Sequence, residues 1–316
     1  MARGAASPED LLARVIDGDR ASLARVLSLV ERGGDPARAV ARALDGRGEK
    51  AYTVGITGSP GAGKSTLTSA LIEVVRAADQ RVAVLAVDPS SPFTGGAILG
   101  DRVRMGDHAL DDAVFIRSMA TRGHLGGLAV AAPEAVRVLG SAGFDWVLVE
   151  TVGVGQVEVE VAGQTDTTVV VVNPGWGDAV QAAKAGLMEI ADVFVVNKAD
   201  RPGAAEAEAD LRRVLDLSGG AGEDWRVPIV RTTATSAEGV ADVWAAVGRH
   251  RDHQTASGDL QERRRRRAAD EITRLVGIRL LEQARAVTSG DRAAELADAV
   301  ARGATDPWTA ADELLA

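Results

Sequence analysis

The run Gly58-Ser59-Pro60-Gly61-Ala62-Gly63-Lys64-Ser65 has the make-up needed to hold a polyphosphate. Phosphate oxygens carry several negative charges. Backbone N–H groups can surround them only where side chains do not intrude, and Gly58, Gly61 and Gly63 meet that need. Lys64 can reach the β- and γ-phosphates, the Ser65 hydroxyl can bind Mg²⁺, and Thr66 can bond to the α-phosphate. Magnesium takes hard oxygen ligands, so acids must stand nearby. Glu150 ends the apolar run that begins at Asp145, and Gly153 follows it in the pattern Glu-x-x-Gly, where the glycine N–H can sense a γ-phosphate. Asp101 closes a long stretch rich in turn formers that begins at Asp88, a good composition for a mobile switch loop. Asp88 itself reads either as a strand-end cap or as a metal ligand acting through water.

A second constellation concerns a base. In Asn197-Lys198-Ala199-Asp200 the carboxylate can accept hydrogen bonds from N1–H and N2–H₂ of guanine. Adenine lacks both donors and would leave a charged acceptor unpaired, so such a site discriminates strongly. The Lys198 stem can lie over the ring, and Asn197 can tie this loop to the phosphate loop. Thr233, Ala234 and Thr235 occupy the place of a third loop that would offer a backbone N–H to guanine O6. Together the motifs specify a guanine nucleotide, with GTP as substrate and GDP as product.

These residues need rigid carriers. From residue 51 short β-branched runs alternate with helical stretches: strands are expected at 52–57, 81–87, 113–117, 145–150, 168–172, 193–197 and 228–231, and a helix at 64–77. Several strands are apolar nearly throughout, as parallel strands covered on both faces are. The expected fold is an α/β, doubly wound, mostly parallel P-loop sheet. Helical stretches flank it. Residues 8–44 carry two apolar stripes separated at Gly18-Asp19, with Ser22 a turn or cap residue. After about residue 256 the strands stop, and helices are expected at 260–287, 292–302 and 309–315. The expected division is 1–50, 51–255 and 256–316.

Composition narrows the remaining classes. The 316 residues contain no cysteine, which excludes disulfides and thiolate chemistry. The net charge of −9 argues against nucleic acid as a general partner. The basic block 263–267 falls on a helix, so its five arginines point in different directions; it reads as solvated or acid-paired, with an acidic partner as the alternative. No run of about 18 apolar residues is present to span a bilayer, and a cytoplasmic protein is expected.

With these motifs in place the chain resembles the MeaB/ArgK family of GTPases. The segments that carry the resemblance are 58–66, 87–92, 98–105, 119–128, 150–156, 174–178, 189–192 and 197–200. The resemblance implies a GTP-hydrolysing chaperone of an adenosylcobalamin-dependent acyl-CoA mutase, typically methylmalonyl-CoA mutase. Such chaperones gate cofactor loading and protect or reactivate the mutase. It also implies a homodimer built largely from terminal helical arms, a Mg²⁺ site on Ser65, Asp101 and Glu150, and a partner-responsive switch at about 175–184 with Asp178 and Lys184 as its charged members. Adenosylcobalamin enters only through the partner. Two residues depart from the family pattern. Thr233 stands where a serine is common, and Trp176 where many relatives have a small residue. Val154, not glutamine, follows Gly153, so slow hydrolysis accelerated by the partner is expected. Arg122 reads as a loop arginine bound to carbonyls or as a phosphate or partner contact, and His124 as structural. A metal-insertion GTPase would want a His- or Cys-rich tract, which is missing, and a transport-linked kinase predicts a phosphorylated protein product.

Overall fold

The structure is a computed structural model, and it describes residues 6–44, 51–89, 108, 110–121, 127–151, 164–175, 188–217 and 225–316. Seven strands form one parallel sheet: β1 Tyr52–Gly58, β2 Val82–Pro89, β3 Val114–Thr121, β4 Trp146–Thr151, β5 Thr167–Val172, β6 Val193–Asn197 and β7 Ile229–Thr232. Their spatial order is β3-β2-β4-β1-β5-β6-β7. Parallel pairing demands crossovers, and the chain supplies helices for them. The described helices are α1 Pro8–Ile16, α2 Arg20–Arg32, α3 Gly34–Ala43, α4 Lys64–Ala77, α5 Gly127–Ser141, α6 Ala204–Leu217, α7 Val240–Ser257, α8 Asp259–Thr288, α9 Asp291–Ala301 and α10 Pro307–Leu315.

The alternation of side chains along each strand decides which residues meet which helix. In β5, Val169 and Val171 pack with α4 and α7, while Val170 and Val172 join Phe194, Ala204 and Leu211 on the opposite face with α6. That is why the valine run is apolar without a break. Ala83, Leu85, Val87, Val147 and Val149 lie under α5 and the N-terminal helices, through Leu12, Leu23, Val26, Leu27 and Val30. The break between the two N-terminal stripes is capped by Asp19, not Ser22: Asp19 accepts from Ala21 N at 3.0 Å, and the Ser22 hydroxyl donates to it at 2.6 Å. Ser22 lies at the third position inside the helix, so its hydroxyl braces the cap, while the Asp19 carboxylate meets the positive end of the helix.

The chain divides into two compact units, Met1–Arg267 and Ala268–Ala316. In the second, α9 and α10 pair through Arg292 and Glu313. Asp306 caps α10 by accepting from Trp308 N and Thr309 N, with Pro307 in the first turn where its missing N–H costs nothing.

In the first unit, buried polar groups gather at the edge of the sheet where strands begin. Asp166 is fully buried just before β5, and Asp192 is buried just before β6. His250 of α7 lies between them, 3.3 Å from Asp192 Oδ1 through Nε2 and 2.8 Å from Thr167 Oγ1 through Nδ1. Burial, then the charge of Arg263, pushes its pKa down to about 3. An unfolded histidine titrates near 6.5, so below that pH the unfolded chain binds a proton that the folded chain refuses. Stability therefore falls as pH drops. For this one buried ring the loss at pH 5.5 is on the order of 1 kcal/mol. Urea unfolding of the wild type at pH 7.5 and 5.5 checks it: His250→Gln is expected to remove most of the difference, and an unchanged difference would show that another group titrates.

Candidate functional site

The nucleotide motifs stand at the opposite edge, where the strands end. β1 runs straight into the Gly-rich loop, and α4 starts at Lys64. Gly58 has φ of 138° and pairs with Val171 of β5. Gly63 has φ of 93°, and a Cβ there would stand 2.4 Å from Asn197 Nδ2. Both positions exclude other residues by conformation and by space. The loop's amide groups and the N-terminus of α4 make a fitting anion cradle. Lys64 is buried, and its ammonium donates to the carbonyls of Gly58 at 2.6 Å and Ser59 at 3.2 Å. Carbonyl partners hold the ammonium beside the loop, from where it can turn to phosphate. Thr66 is half-buried in the first turn of α4.

Parity along β4 brings the acid to this helix. Trp146 and Leu148 face the α4 layer, so Glu150, two residues on, faces it too. Ser65 Oγ donates to Glu150 Oε1 at 2.6 Å. A serine hydroxyl and a fully buried carboxylate in contact are hard oxygen donors, a chemistry that fits Mg²⁺. Asp101, Gly153, Asp178 and Lys184 lie outside the described residues, as do Arg122, His124 and Trp176. Asp88 belongs to β2, but its side chain is outside the described set.

The same parity governs β6. Val193 and Val195 face α4 and α7, and Asn197 continues that face into the phosphate loop. Its Nδ2 donates to Ala62 O at 2.8 Å, and its Oδ1 accepts from Thr232 Oγ1 at 3.0 Å and from Ala234 N at 3.1 Å. One buried amide thus joins three loops. Lys198 takes φ of 59°, a turn that brings its ammonium to Gly61 O at 2.7 Å. Asp200 is exposed at the tip of the same turn. In the third loop the Ala234 N–H goes to Asn197 and the Thr233 N–H to Glu238 O. Thr235 is exposed. The structure thus brings residues 58–66, Glu150, 197–200 and 233–235 to one edge. It adds Asn173, which the motifs did not single out: its Oδ1 accepts from Ser59 Oγ at 3.5 Å, and its Nδ2 donates to Pro174 O at 3.1 Å.

The family model described as "Methylmalonyl Co-A mutase-associated GTPase MeaB" matches residues 23–289. The chain belongs to this family. A protein of Pyrococcus abyssi is 47% identical over 309 residues, 97% of this chain and 95% of that one. "GTPase ArgK" of Escherichia coli is 38% identical over 264 residues, covering 81% of this chain and 80% of that protein. The mouse "Methylmalonic aciduria type A homolog, mitochondrial" is 34% identical over 319 residues, covering 95% and 77%. A solved structure named LAO/AO transport system kinase superposes with a TM-score of 0.72 at 28% identity, covering 97% of this chain and 96% of that one. The MeaB-family chain is a P-loop GTPase, and the doubly wound fold read from its sequence is the one observed. Among the described residues no helix is long and apolar enough to cross a membrane.

Proposed function

We propose that this MeaB-family GTPase couples GTP hydrolysis to the loading or repair of an adenosylcobalamin-dependent acyl-CoA mutase. The observation that carries the nucleotide part is the joining of phosphate loop, base motif and third loop through Asn197. The mutase part rests on family membership. In this reading residues 58–66 hold the phosphates and Asp200 reads the base, with Lys198 stacked on it. Thr233, Ala234 and Thr235 line the base pocket. Ser65 and Glu150, with Asp101, would hold Mg²⁺, which when bound supplies charge neutralisation at the β- and γ-phosphates. Lys64 leaves the Gly58 carbonyl for a phosphate oxygen, so the loop's electrostatics change only when nucleotide arrives. Gly153 senses the γ-phosphate, and Asp178 and Lys184 respond to the partner.

Homodimerisation is part of the proposal. On α8, Ile272, Val276 and Leu280 are exposed at four-residue spacing, an apolar row on one helix face.

The test is a single-turnover assay with labelled γ-phosphate, with and without a purified acyl-CoA mutase carrying adenosylcobalamin. The expected product is inorganic phosphate, released at least about tenfold faster with the mutase. Equal rates would overturn the coupling. Label found on a protein would favour a kinase instead.

A further inference from the structure

Three arginines of the α8 block turn inward to buried acids. Arg263 grips Asp192, Nη2 to Oδ1 at 3.1 Å and Nη1 to Oδ2 at 3.3 Å. Arg264 grips Asp166, Nη2 to Oδ2 at 2.7 Å and Nε to Oδ1 at 3.1 Å, and also reaches Ala51 O at 3.1 Å. Arg267 adds a bond to Asp166 Oδ1 at 2.5 Å. Arg265 and Arg266 turn outward to Glu262 of the same helix. Burial works to raise the Asp166 pKa, but the bond and charge of Arg264 and the charge of Arg267 hold it below its ordinary value.

The three gripped points have one thing in common. Ala51 precedes β1, Asp166 precedes β5, and Asp192 precedes β6. At their far ends these strands carry the phosphate loop, Asn173 and Asn197. The acids are also laced to neighbouring strands, through Thr53 N to Asp166 Oδ2 at 2.9 Å and Thr168 N to Asp192 Oδ2 at 2.8 Å.

We infer that Arg263, Arg264 and Arg267 are positioning residues for nucleotide recognition, acting along β1, β5 and β6 from the opposite edge of the sheet. The inference rests on the guanine reading above. A strand is stiff along its length, and five residues span only about 17 Å. Displacement at its root therefore moves its tip, and the hydrogen bonds made there weaken steeply with distance and angle. The division of labour is specific. Arg263 sits under β6, whose tip holds the base motif. Arg267 sits under β5, whose laced partner β1 carries the phosphate loop.

The experiment measures dissociation constants of the full-length chain for GDP, ADP, IDP and a non-hydrolysable GTP analogue. IDP lacks the base's 2-amino group and reports on the base end. Arg263→Gln is expected to narrow the GDP-over-IDP preference by about tenfold and to leave the GTP-analogue-to-GDP ratio at the wild-type value. Arg267→Gln is expected to do the reverse. Arg263→Lys, which keeps the charge, is expected to recover most of the lost preference. Variants that lower the thermal midpoint while both ratios stay at wild type would overturn the inference and leave the arginines a purely stabilising role. If Arg267→Gln does not fold, the Arg263 pair decides alone. A wild type without preference for GDP over ADP would instead sink the guanine reading itself.

Discussion

Gly58→Ala is expected to yield a chain that neither binds guanine nucleotide nor keeps its stability. Gly58 closes β1 at φ of 138°, a region that side chains rarely enter. A Cβ there would stand 1.9 Å from Val171 O, far inside contact distance. The obstacle is backbone, held by the pairing of β1 with β5 at the centre of the sheet. Neither strand can retreat, because both are packed on both faces. The conformational strain and the overlap each cost about 1–3 kcal/mol, so a loss of about 4 kcal/mol is expected. Relief by peeling Gly58 from Val171 would also withdraw the carbonyl that holds Lys64. Urea unfolding and GDP titration check the result. A variant that binds GDP with wild-type affinity would show that the loop tolerates a side chain and that the close approach is not required.

Asp200→Asn is expected to reverse the base preference without harming the fold. Asp200 is exposed, so the substitution disturbs no packing. The carboxylate offers two acceptors to the two guanine donors N1–H and N2–H₂. The amide offers one acceptor and one donor, and the donor meets N2–H₂ head on. Xanthine carries a carbonyl in place of that amino group and matches the amide. GDP affinity should fall by about a thousandfold, and xanthosine diphosphate should become the tighter ligand. Competition binding with the two diphosphates reads this directly. An unchanged ratio would mean that the base is read elsewhere.

These residues were legible in the sequence because each motif is local and sits where a strand ends. The run 145–150 announced β4 and placed Glu150 at its tip, and 193–197 did the same for Asn197. The expected strand ends fall one residue short at Gly58 and Thr151, two short at Pro89 and four short at Thr121, because the local residues carry no sign of whether pairing continues. The strand order was not legible: β1 pairs with β4 and β5 across crossovers, and nothing local in Tyr52 or Thr167 names the partner. The acid partners of the arginine block were hidden for the same reason. The sequence reads the block as solvated or acid-paired without naming the acids, because Asp166 lies 98 positions from Arg264 and Asp192 lies 71 from Arg263. A lone buried aspartate before a valine run looks like any turn residue.

The grip on Asp166 also sets an order of events during synthesis. The contact from Arg264 to Ala51 spans 213 positions. Until the ribosome has released residue 267, two carboxylates destined for the interior have no cation to meet. Burying them alone would cost several kcal/mol. The roots of β5 and β6 are therefore completed only when the first turns of α8 arrive, late in the chain. Contacts of such long sequence separation raise the contact order of the sheet and slow its closure.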